Sequence, residues 1–254
     1  MTNKHIKELN NLRDKSKARK EEGLYIAEGI RMFTEAPSEE LLEVYVTKVF
    51  ENEHADILAG KKYEVIEESL MSKLSDTKTP QGVLCVLRQP KHTLEDIIKG
   101  ETTGSLFVIL EDIQDPGNLG TIVRTGEGAG VAGVIMSRGC VDIFNPKTIR
   151  STMGSIYRVP FVYAEDLAQA VKSMQQAGIR VYAAHLRGEH YYDEVDYCGK
   201  TAFLIGNEGN GLKDETAEMA DEYIKIPMEG SVESLNAAVA TSVLMYEHYR
   251  QTRN

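Results

Sequence analysis

The sequence predicts an α/β fold in which a small N-terminal domain precedes a larger domain built on a parallel sheet. Along the 254 residues, short apolar runs alternate with amphipathic segments, and strand–helix alternation favours parallel sheets. The run 106–110 is apolar throughout, as expected of a strand that is covered on both faces. Proline, glycine and small polar residues cluster in 89–104, which predicts a joint between domains at 1–95 and 105–254.

In the N-terminal domain, runs rich in β-branched and aromatic residues predict four strands, at 24–27, 44–50, 63–66 and 83–87. Helical patches are expected between them at 55–59 and 69–74, and a further patch lies within the joint at 94–98. This half is therefore expected to be an α/β domain of its own.

In the C-terminal domain, the predicted strands are 106–110, 134–136, 180–184, 202–205 and 223–226. Helices are expected from 119 to about 129, over 167–177, and from 235 to about 250. The last helix carries an apolar stripe of four residues, Leu235, Val239, Val243 and Tyr246. Helices are expected on both faces of the sheet.

The charge distribution does not single out one class of partner. The net charge of −10 argues against a surface coated for nucleic acid, but residues 1–20 hold seven basic groups against two acidic ones. Such a basic segment suits a polyanionic partner, and it is equally typical of a solvated helix. No apolar run is long enough to span a membrane, and the three cysteines form no CxxC pair, so a cytoplasmic protein without membrane association is expected.

Three polar segments are expected at the carboxyl ends of strands, where open α/β sheets bind ligands. The first, 111–125, turns through Asp-Pro-Gly-Asn into a helix, with Asn118 as a candidate N-cap and Arg124 six residues later. Taken alone, these two residues are explained as a cap and a surface ion-pair partner. Glycines at 120 and 126 are costly in a helix, so a close approach to its backbone is expected.

The second segment, 205–212, holds three glycines and two asparagines between a strand and a helix, which leaves backbone groups open to a ligand. The third, 226–238, ends a strand at a proline and enters the last helix. Ser234 is explained there as a plain N-cap, whereas Asn236 in the first turn has no evident structural need.

Other signatures are absent or misplaced. The spelling GxGxxG occurs at 128–133, but there it closes a helix and precedes a strand, so it is not a dinucleotide fingerprint. The six histidines form no HExxH pattern, and no metal site is predicted.

In this order, the three segments resemble the signature of the SpoU/TrmH family of RNA ribose methyltransferases, within the SPOUT superfamily. The matching residues are Asp-Pro-Gly-Asn-Leu-Gly at 115–120 with Arg124, Gly-Asn-Glu-Gly-Asn-Gly-Leu at 206–212, and Ile-Pro-Met at 226–228 followed by Ser-Leu-Asn at 234–236. The N-terminal half is similar to the family's substrate-binding domain, through weaker cues at 16–29 and 79–83.

The resemblance implies a parallel sheet with a deep trefoil knot, a rare exception to unknotted topology. S-adenosylmethionine would lie in the knot crevice, held mostly by backbone groups around Gly206, Ile226 and Leu235. The family's members are homodimers with the active site near the subunit interface. The implied reaction is methyl transfer to a ribose 2′-hydroxyl in structured RNA, preferably ribosomal RNA of the 23S type.

Five residues are expected to carry this reaction. A guanidinium is a poor base at neutral pH, so Arg124 is expected to grip the neighbouring phosphate and stabilise negative charge on oxygen. Asn118, Ser234 and Asn236 would orient the hydroxyl and Arg124, and Glu208 would pair with Arg124. Three alternatives stay open, namely a transfer RNA ribose methyltransferase, a base methyltransferase that acts on a ring nitrogen, and an RNA-binding protein without catalysis.

Overall fold

The computed structural model describes residues 1–99 and 104–253. The chain forms two compact units, of which the first comprises Met1–Pro90 with Asp142–Tyr157 and the second comprises Lys91–Val141 with Arg158–Asn254. Residues 100–103 of the predicted joint lie outside the described residues.

The first unit contains a sheet of four strands in the order β1-β4-β2-β3, with β4 antiparallel to both neighbours. Its elements up to residue 90 are α1 (Asn3–Asp14), α2 (Ser16–Glu22), β1 (Leu24–Glu28), α3 (Ile30–Thr34), β2 (Leu41–Thr47), α4 (Lys48–Glu53), α5 (Ala55–Leu58), β3 (Glu64–Ile66), α6 (Glu68–Leu74) and β4 (Val83–Arg88). All four predicted strands are present, although the second, predicted at 44–50, begins and ends three residues earlier, at Leu41–Thr47. Strand β2 ends at Thr47 because the Thr47 hydroxyl accepts a hydrogen bond from the Phe50 backbone N–H and caps α4.

The basic N-terminal segment is part of the folded unit. Leu9 and Leu12 of α1 are buried in its core, and Arg19 of α2 is also buried. Arg19 donates to Asp142 and to the carbonyl oxygen of Leu12 at 2.8 and 2.7 Å. Arg13 is also bonded within the unit, since it donates to the carbonyl oxygen of Lys73 at 2.6 Å, so at least two of the seven basic groups are engaged by the fold.

The second unit is built on a parallel sheet. The remaining elements are α7 (Leu94–Lys99), β5 (Leu106–Leu110), α8 (Pro116–Ala129), β6 (Val131–Ser137), α9 (Pro146–Thr152, in the first unit), a 3₁₀ turn (Ser155–Tyr157, also in the first unit), β7 (Phe161–Ala164), α10 (Leu167–Gln176), β8 (Arg180–Ala184), β9 (His190–Tyr191), β10 (Thr201–Ile205), α11 (Asp214–Ala217), β11 (Glu222–Lys225) and α12 (Ala237–Thr252).

The strand order of this sheet brings together the ends of strands that are distant in sequence. Within the described residues the order is β7-β6-β5-β10-β8-β11-β9, and every neighbouring pair is parallel. Strand β10 lies between β5 and β8, and both β5 and β10 are completely buried. Because parallel strands share one carboxyl edge, the loops that follow β5, β8, β10 and β11 meet there.

Two helices of the second unit begin at other residues than the sequence predicts. Helix α8 starts at Pro116 and is capped by Asp115, whose carboxylate accepts from the Asn118 backbone N–H, so Asn118 is not the N-cap. Helix α12 starts at Ala237 and is capped by Asn236, so Ser234 is not the N-cap. Within the described residues, no helix combines the length and hydropathy needed to cross a bilayer.

Helices α8 and α12 pack against each other, as the glycines of α8 suggest. A Cβ atom at Gly126 would lie 3.4 Å from Val131 and 3.8 Å from Met245. The misplaced GxGxxG segment ends α8 with Gly130 at φ 75° and enters β6, which confirms its interpretation as a helix end and turn.

Because His248 of α12 is buried, we expect the protein to be less stable at acid pH. The side chain is buried, and neither ring nitrogen has a hydrogen-bond partner within the described residues. Burial lowers the pKa of His248 below its ordinary value of 6.5, so the unfolded chain binds a proton that the folded chain does not. Lowering the pH from 7.5 to 5.5 should cost up to about 1 kcal/mol through this residue. Urea unfolding of the parent and of His248→Leu at both pH values checks this, and an equal loss in both proteins contradicts it.

Candidate active site

The three polar segments meet at the carboxyl edge of the second unit's sheet. The Asn118 side chain donates from Nδ2 to Glu208 Oε1 at 2.9 Å. Its Oδ1 accepts from Asn236 Nδ2 at 3.0 Å. These two hydrogen bonds join residues that are 90 and 118 positions apart, so one residue from each segment belongs to a single cluster.

The orientation of both amides in this cluster is fixed by the start of α12. Asn236 Oδ1 accepts from the backbone N–H groups of Ala238 and Val239, so its Nδ2 faces Asn118. Asn118 must then present Oδ1 to Asn236 and Nδ2 to the Glu208 carboxylate, which accepts only. Each amide keeps one further N–H for a ligand.

Glu208 is held as a carboxylate. Besides Asn118, the backbone N–H groups of Gln114 and Asp115 donate to it at 3.1 and 3.0 Å. Burial alone would raise the pKa of Glu208, but these hydrogen bonds outweigh it, and the pKa lies below its ordinary range. Glu208 therefore acts as a fixed acceptor that orients Asn118.

The turn after β5 aims those two N–H groups at Glu208. Asp112 has φ 53°, an uncommon conformation for a residue with a side chain. Its carboxylate accepts from Ser137 Oγ and Lys213 Nζ, both at 2.7 Å, and its carbonyl oxygen accepts from Asn207 Nδ2 at 2.8 Å. The turn is thus tied to the end of β6 and to the loop that carries Glu208.

The loop after β10 folds back upon itself. Asn207 and Gly211 exchange backbone hydrogen bonds of 3.0 and 2.9 Å, and Gly211 has φ 68°. A Cβ atom at Gly206 would lie 2.2 Å from the backbone of Gly211 and Leu212, so no other residue fits at 206. Glycine is required at 206 because the backbone of Gly211 and Leu212 folds back against it, and the sequence alone does not reveal this contact.

A cavity of about 320 Å³ lies beneath this loop. Gly206, Ile226 and Leu235, the three expected cofactor residues, all line it, and so do Glu208 and Ser234. Its wall is mostly apolar side chains and loop backbone, and its size is within the range of small-molecule sites. The cavity therefore fits a ligand with an apolar part and a few polar groups, and the carboxylates of Glu208 and Glu233 in its lining favour a cationic one.

Arg124 lies apart from the cluster. It is exposed on α8 and has no hydrogen bond or ion pair within the described residues. The expected pairing with Glu208 is not formed; that carboxylate accepts from Asn118 and two backbone N–H groups instead. Ser234 is likewise exposed, and it lines the cavity.

Sequence reasoning missed Asp112, Gln114 and Asn207. All three lie in or beside the recognised segments, but they act through backbone groups or hold the backbone itself. A positive φ at Asp112 or a donor N–H at Gln114 has no signal in residue types.

Family models match most of the chain. The model of the SpoU rRNA methylase family matches residues 105–246, and that of the MRM3-like substrate binding domain matches residues 3–85. The resemblance stated for each half is thus confirmed.

Individual relatives and solved structures agree with these matches. The chain is 31% identical to the 23S rRNA (guanosine(2553)-2′-O)-methyltransferase RlmP of Bacillus subtilis, over 96% of this chain and 95% of that one. It is 28% identical to the RlmB methyltransferase of Escherichia coli, over 91% and 98%. The AdoMet-bound rRNA methyltransferase of Sinorhizobium meliloti is 31% identical, covering 100% of this chain and 97% of that one, with a TM-score of 0.88. The expected α/β architecture is confirmed, the trefoil knot stays a prediction, and the chain belongs to the SpoU rRNA methylase family.

Proposed function

We propose that the protein transfers the methyl group of S-adenosylmethionine to a ribose 2′-hydroxyl of 23S ribosomal RNA. The observation that carries the proposal is the cavity lined by Gly206, Ile226 and Leu235 beside the cluster of Asn118, Glu208 and Asn236. Relatives over nearly the whole chain length are named as 23S rRNA guanosine 2′-O-methyltransferases, which supports a guanosine in ribosomal RNA as the target. A cytoplasmic location follows from that substrate.

Bound S-adenosylmethionine supplies an activated methyl group on a cationic sulfur, which leaves as a neutral thioether. Backbone groups around Gly206, Ile226 and Leu235 would hold it, and solved relatives contain AdoMet. The carboxylates of Glu208 and Glu233, which line the cavity, favour its positive charge.

The chain's own residues align the acceptor. Asn118 and Asn236 direct their remaining N–H groups toward the ribose oxygen, and Ser234 lines the adjacent cavity. Arg124, whose guanidinium has no partner within the described residues, binds the adjacent phosphate and stabilises charge on the oxygen. The ribose oxygen forms its bond to carbon as its proton passes to water. Proximity of this kind can lower a barrier by roughly 7–11 kcal/mol.

Ribose mapping tests the proposed function. Ribosomal RNA from cells with and without the protein is hydrolysed in alkali, where a 2′-O-methyl group blocks cleavage of the next phosphodiester. A new protected position that depends on the protein supports the proposal. A methyl group on a ring nitrogen, a product confined to transfer RNA, or failure to bind S-adenosylmethionine in calorimetry would each replace it with one of the alternatives.

The basic N-terminal segment of the first unit, which comprises α1, Lys15 and α2, is proposed to contact RNA phosphates. Lys7, Lys15 and Lys20 are exposed, and none has an ion-pair partner within the described residues. Replacing all three by glutamine should reduce the slope of log affinity against log salt by about 2, since each lost phosphate contact removes 0.7–0.9. RNA binding at several salt concentrations measures the slope. The control is Lys172→Gln on α10, which should leave it unchanged, and an unaltered slope in the triple variant contradicts the assignment.

The protein is proposed to work as a homodimer through the exposed face of α12. Val239 and Tyr246 of the predicted apolar stripe are 49% and 48% exposed, and the nearby Tyr249 is 39% exposed, so half of that stripe faces outward in the single chain. A second copy would cover this stripe and could complete the surroundings of Arg124 on the adjoining α8. The double variant Val239→Glu, Tyr246→Arg should be a monomer, as measured by light scattering, and should have little methyltransferase activity. A dimeric double variant would contradict this interface.

A further inference from the structure

The loop after β10, residues 206–213, is bonded along its length to the turn after β5, residues 111–115. At the start of the loop, Asn207 Nδ2 donates to the carbonyl oxygen of Asp112 at 2.8 Å. In its middle, the Glu208 carboxylate accepts from two backbone N–H groups of the turn. At its end, the backbone N–H of Lys213 donates to the buried Glu111 carboxylate at 2.9 Å. The turn and the loop therefore form one hydrogen-bonded assembly.

Asp112 is the residue at which the turn has an uncommon backbone conformation. Among the described residues that carry a side chain, only Asp112 and Met153 have a positive φ. Such a conformation persists where the surroundings hold it. The Asp112 carboxylate lies against Gly139, where a Cβ atom would be 2.0 Å from its Oδ1. Oδ1 accepts from Ser137 Oγ and Oδ2 accepts from Lys213 Nζ, both at 2.7 Å, so the carboxylate is held from two sides.

The Lys213 ammonium holds the turn, whereas the loop has other supports. Its hydrogen bond with Asp112 holds the pKa of that carboxyl below its ordinary range, so Asp112 is ionised at neutral pH. The end of the loop does not depend on the ammonium, because the Lys213 backbone N–H and the Thr216 hydroxyl both donate to Glu111. The Lys213 side chain is 64% exposed, and ion pairs this exposed contribute little to stability.

The turn leads directly to the groups that face the acceptor. The Gln114 side chain donates to the carbonyl oxygen of Asp112 at 3.3 Å. The next step is to Glu208, which accepts from the backbone N–H groups of Gln114 and Asp115. Glu208 in turn accepts from Asn118 Nδ2, and Asp115 caps the helix that carries Asn118. A displacement at Asp112 is therefore passed on to Asn118 through hydrogen bonds alone.

We propose that Lys213 is a positioning residue for methyl transfer, which holds Asp112 so that Asn118 keeps the acceptor ribose in line with the methyl group. The inference rests on the proposed function. Lys213 does not line the cavity of Gly206, Ile226 and Leu235, so its effect on the reaction is indirect. A misplacement of about 1 Å can slow a reaction about 100-fold, so loss of this contact acts on kcat and not on binding.

Lys213→Met tests this role, because it removes the ammonium and keeps much of the side-chain length. With a ribosomal RNA substrate, it should lower kcat by about 10–100-fold, while the KM for RNA and the calorimetric Kd for S-adenosylmethionine stay within about threefold of the parent values. The midpoint of urea unfolding should stay near that of the parent, which a structural role would lower. A parent kcat in this variant overturns the proposal, and so does a rise in the cofactor Kd as large as the loss of kcat.

Two matched variants isolate the contact with Asp112. Lys213→Arg keeps a cation for that carboxylate, so its kcat should be within about threefold of the parent value. Arg187→Met removes a nearby cation that is 60% exposed and whose partner, Asp214, lies outside the turn, so kcat should not change. An arginine variant as slow as Lys213→Met, or an equal loss in Arg187→Met, overturns the proposal.

Asp112→Asn tests the other end of the contact, because asparagine tolerates a positive φ but carries no charge. Its kcat should fall as in Lys213→Met. The double variant should be no slower than the slower single variant, since both changes break the same contact. Losses that multiply in the double variant overturn the proposal.

The activity of the parent separates this proposal from the proposed function. An active parent with an equally active Lys213→Met variant overturns only the positioning role of Lys213. A parent chain that neither binds S-adenosylmethionine nor methylates RNA overturns the proposed function itself.

Discussion

Arg124→Ala is expected to lower kcat for ribose methylation by about 10²–10³-fold while leaving S-adenosylmethionine affinity within a factor of about three. Arg124 is exposed on α8, it has no partner within the described residues, and it does not line the cavity of Gly206, Ile226 and Leu235. Its removal therefore disturbs neither the fold nor the cofactor, and the loss measures its contact with the RNA. Single-turnover methylation and calorimetry provide the two readouts.

Matched arginine variants sharpen the Arg124 experiment. Arg180→Ala removes an exposed guanidinium at the opposite end of the sheet, where it pairs with Glu222, and should leave kcat unchanged. Arg124→Lys keeps the charge but loses the planar fork, so its activity should fall between those of the parent and the alanine variant. A parent rate in Arg124→Ala would remove Arg124 from the site.

Gly206→Ala is expected to reduce S-adenosylmethionine affinity at least tenfold and to lower the free energy of unfolding by about 1–3 kcal/mol. The added Cβ would lie 2.2 Å from the backbone of Gly211 and Leu212, so the loop must move away from its present path. That loop forms the roof of the cavity and carries Glu208. Calorimetric titration and urea unfolding measure the two losses.

Gly209→Ala, in the same loop, controls for the general cost of replacing a glycine. A Cβ atom there would lie 3.5 Å from the Asn207 side chain, an ordinary van der Waals distance, and its φ is not in the left-handed region. We expect near-parent binding and stability for this variant. Equal effects at 206 and 209 would show that loop flexibility, and not the close return at Gly206, sets the cofactor affinity.

The local pattern of residues was sufficient to predict most strands and the edge of the sheet at which the three polar segments meet. Runs such as 106–110 and 180–184 carry their own apolar signal, and the strands occur at those residues. Polar segments that follow strands of a parallel sheet share an edge, which predicts that segments 111–125, 205–212 and 226–238 come together, whereas a role for Glu208 follows only from the family resemblance.

The partners within that edge depend on contacts that no local pattern encodes. Glu208 is 90 residues from Asn118 in sequence, yet its hydrogen-bond partner is Asn118 and not Arg124. Asn236, 118 residues from Asn118, both caps α12 and donates a hydrogen bond to Asn118. The need for glycine at 206 arises from the backbone of Gly211, whose approach follows from the folded loop. Residue types specify which groups are available, whereas the packing of distant segments selects which of them meet, because only the folded chain brings their atoms within hydrogen-bonding distance.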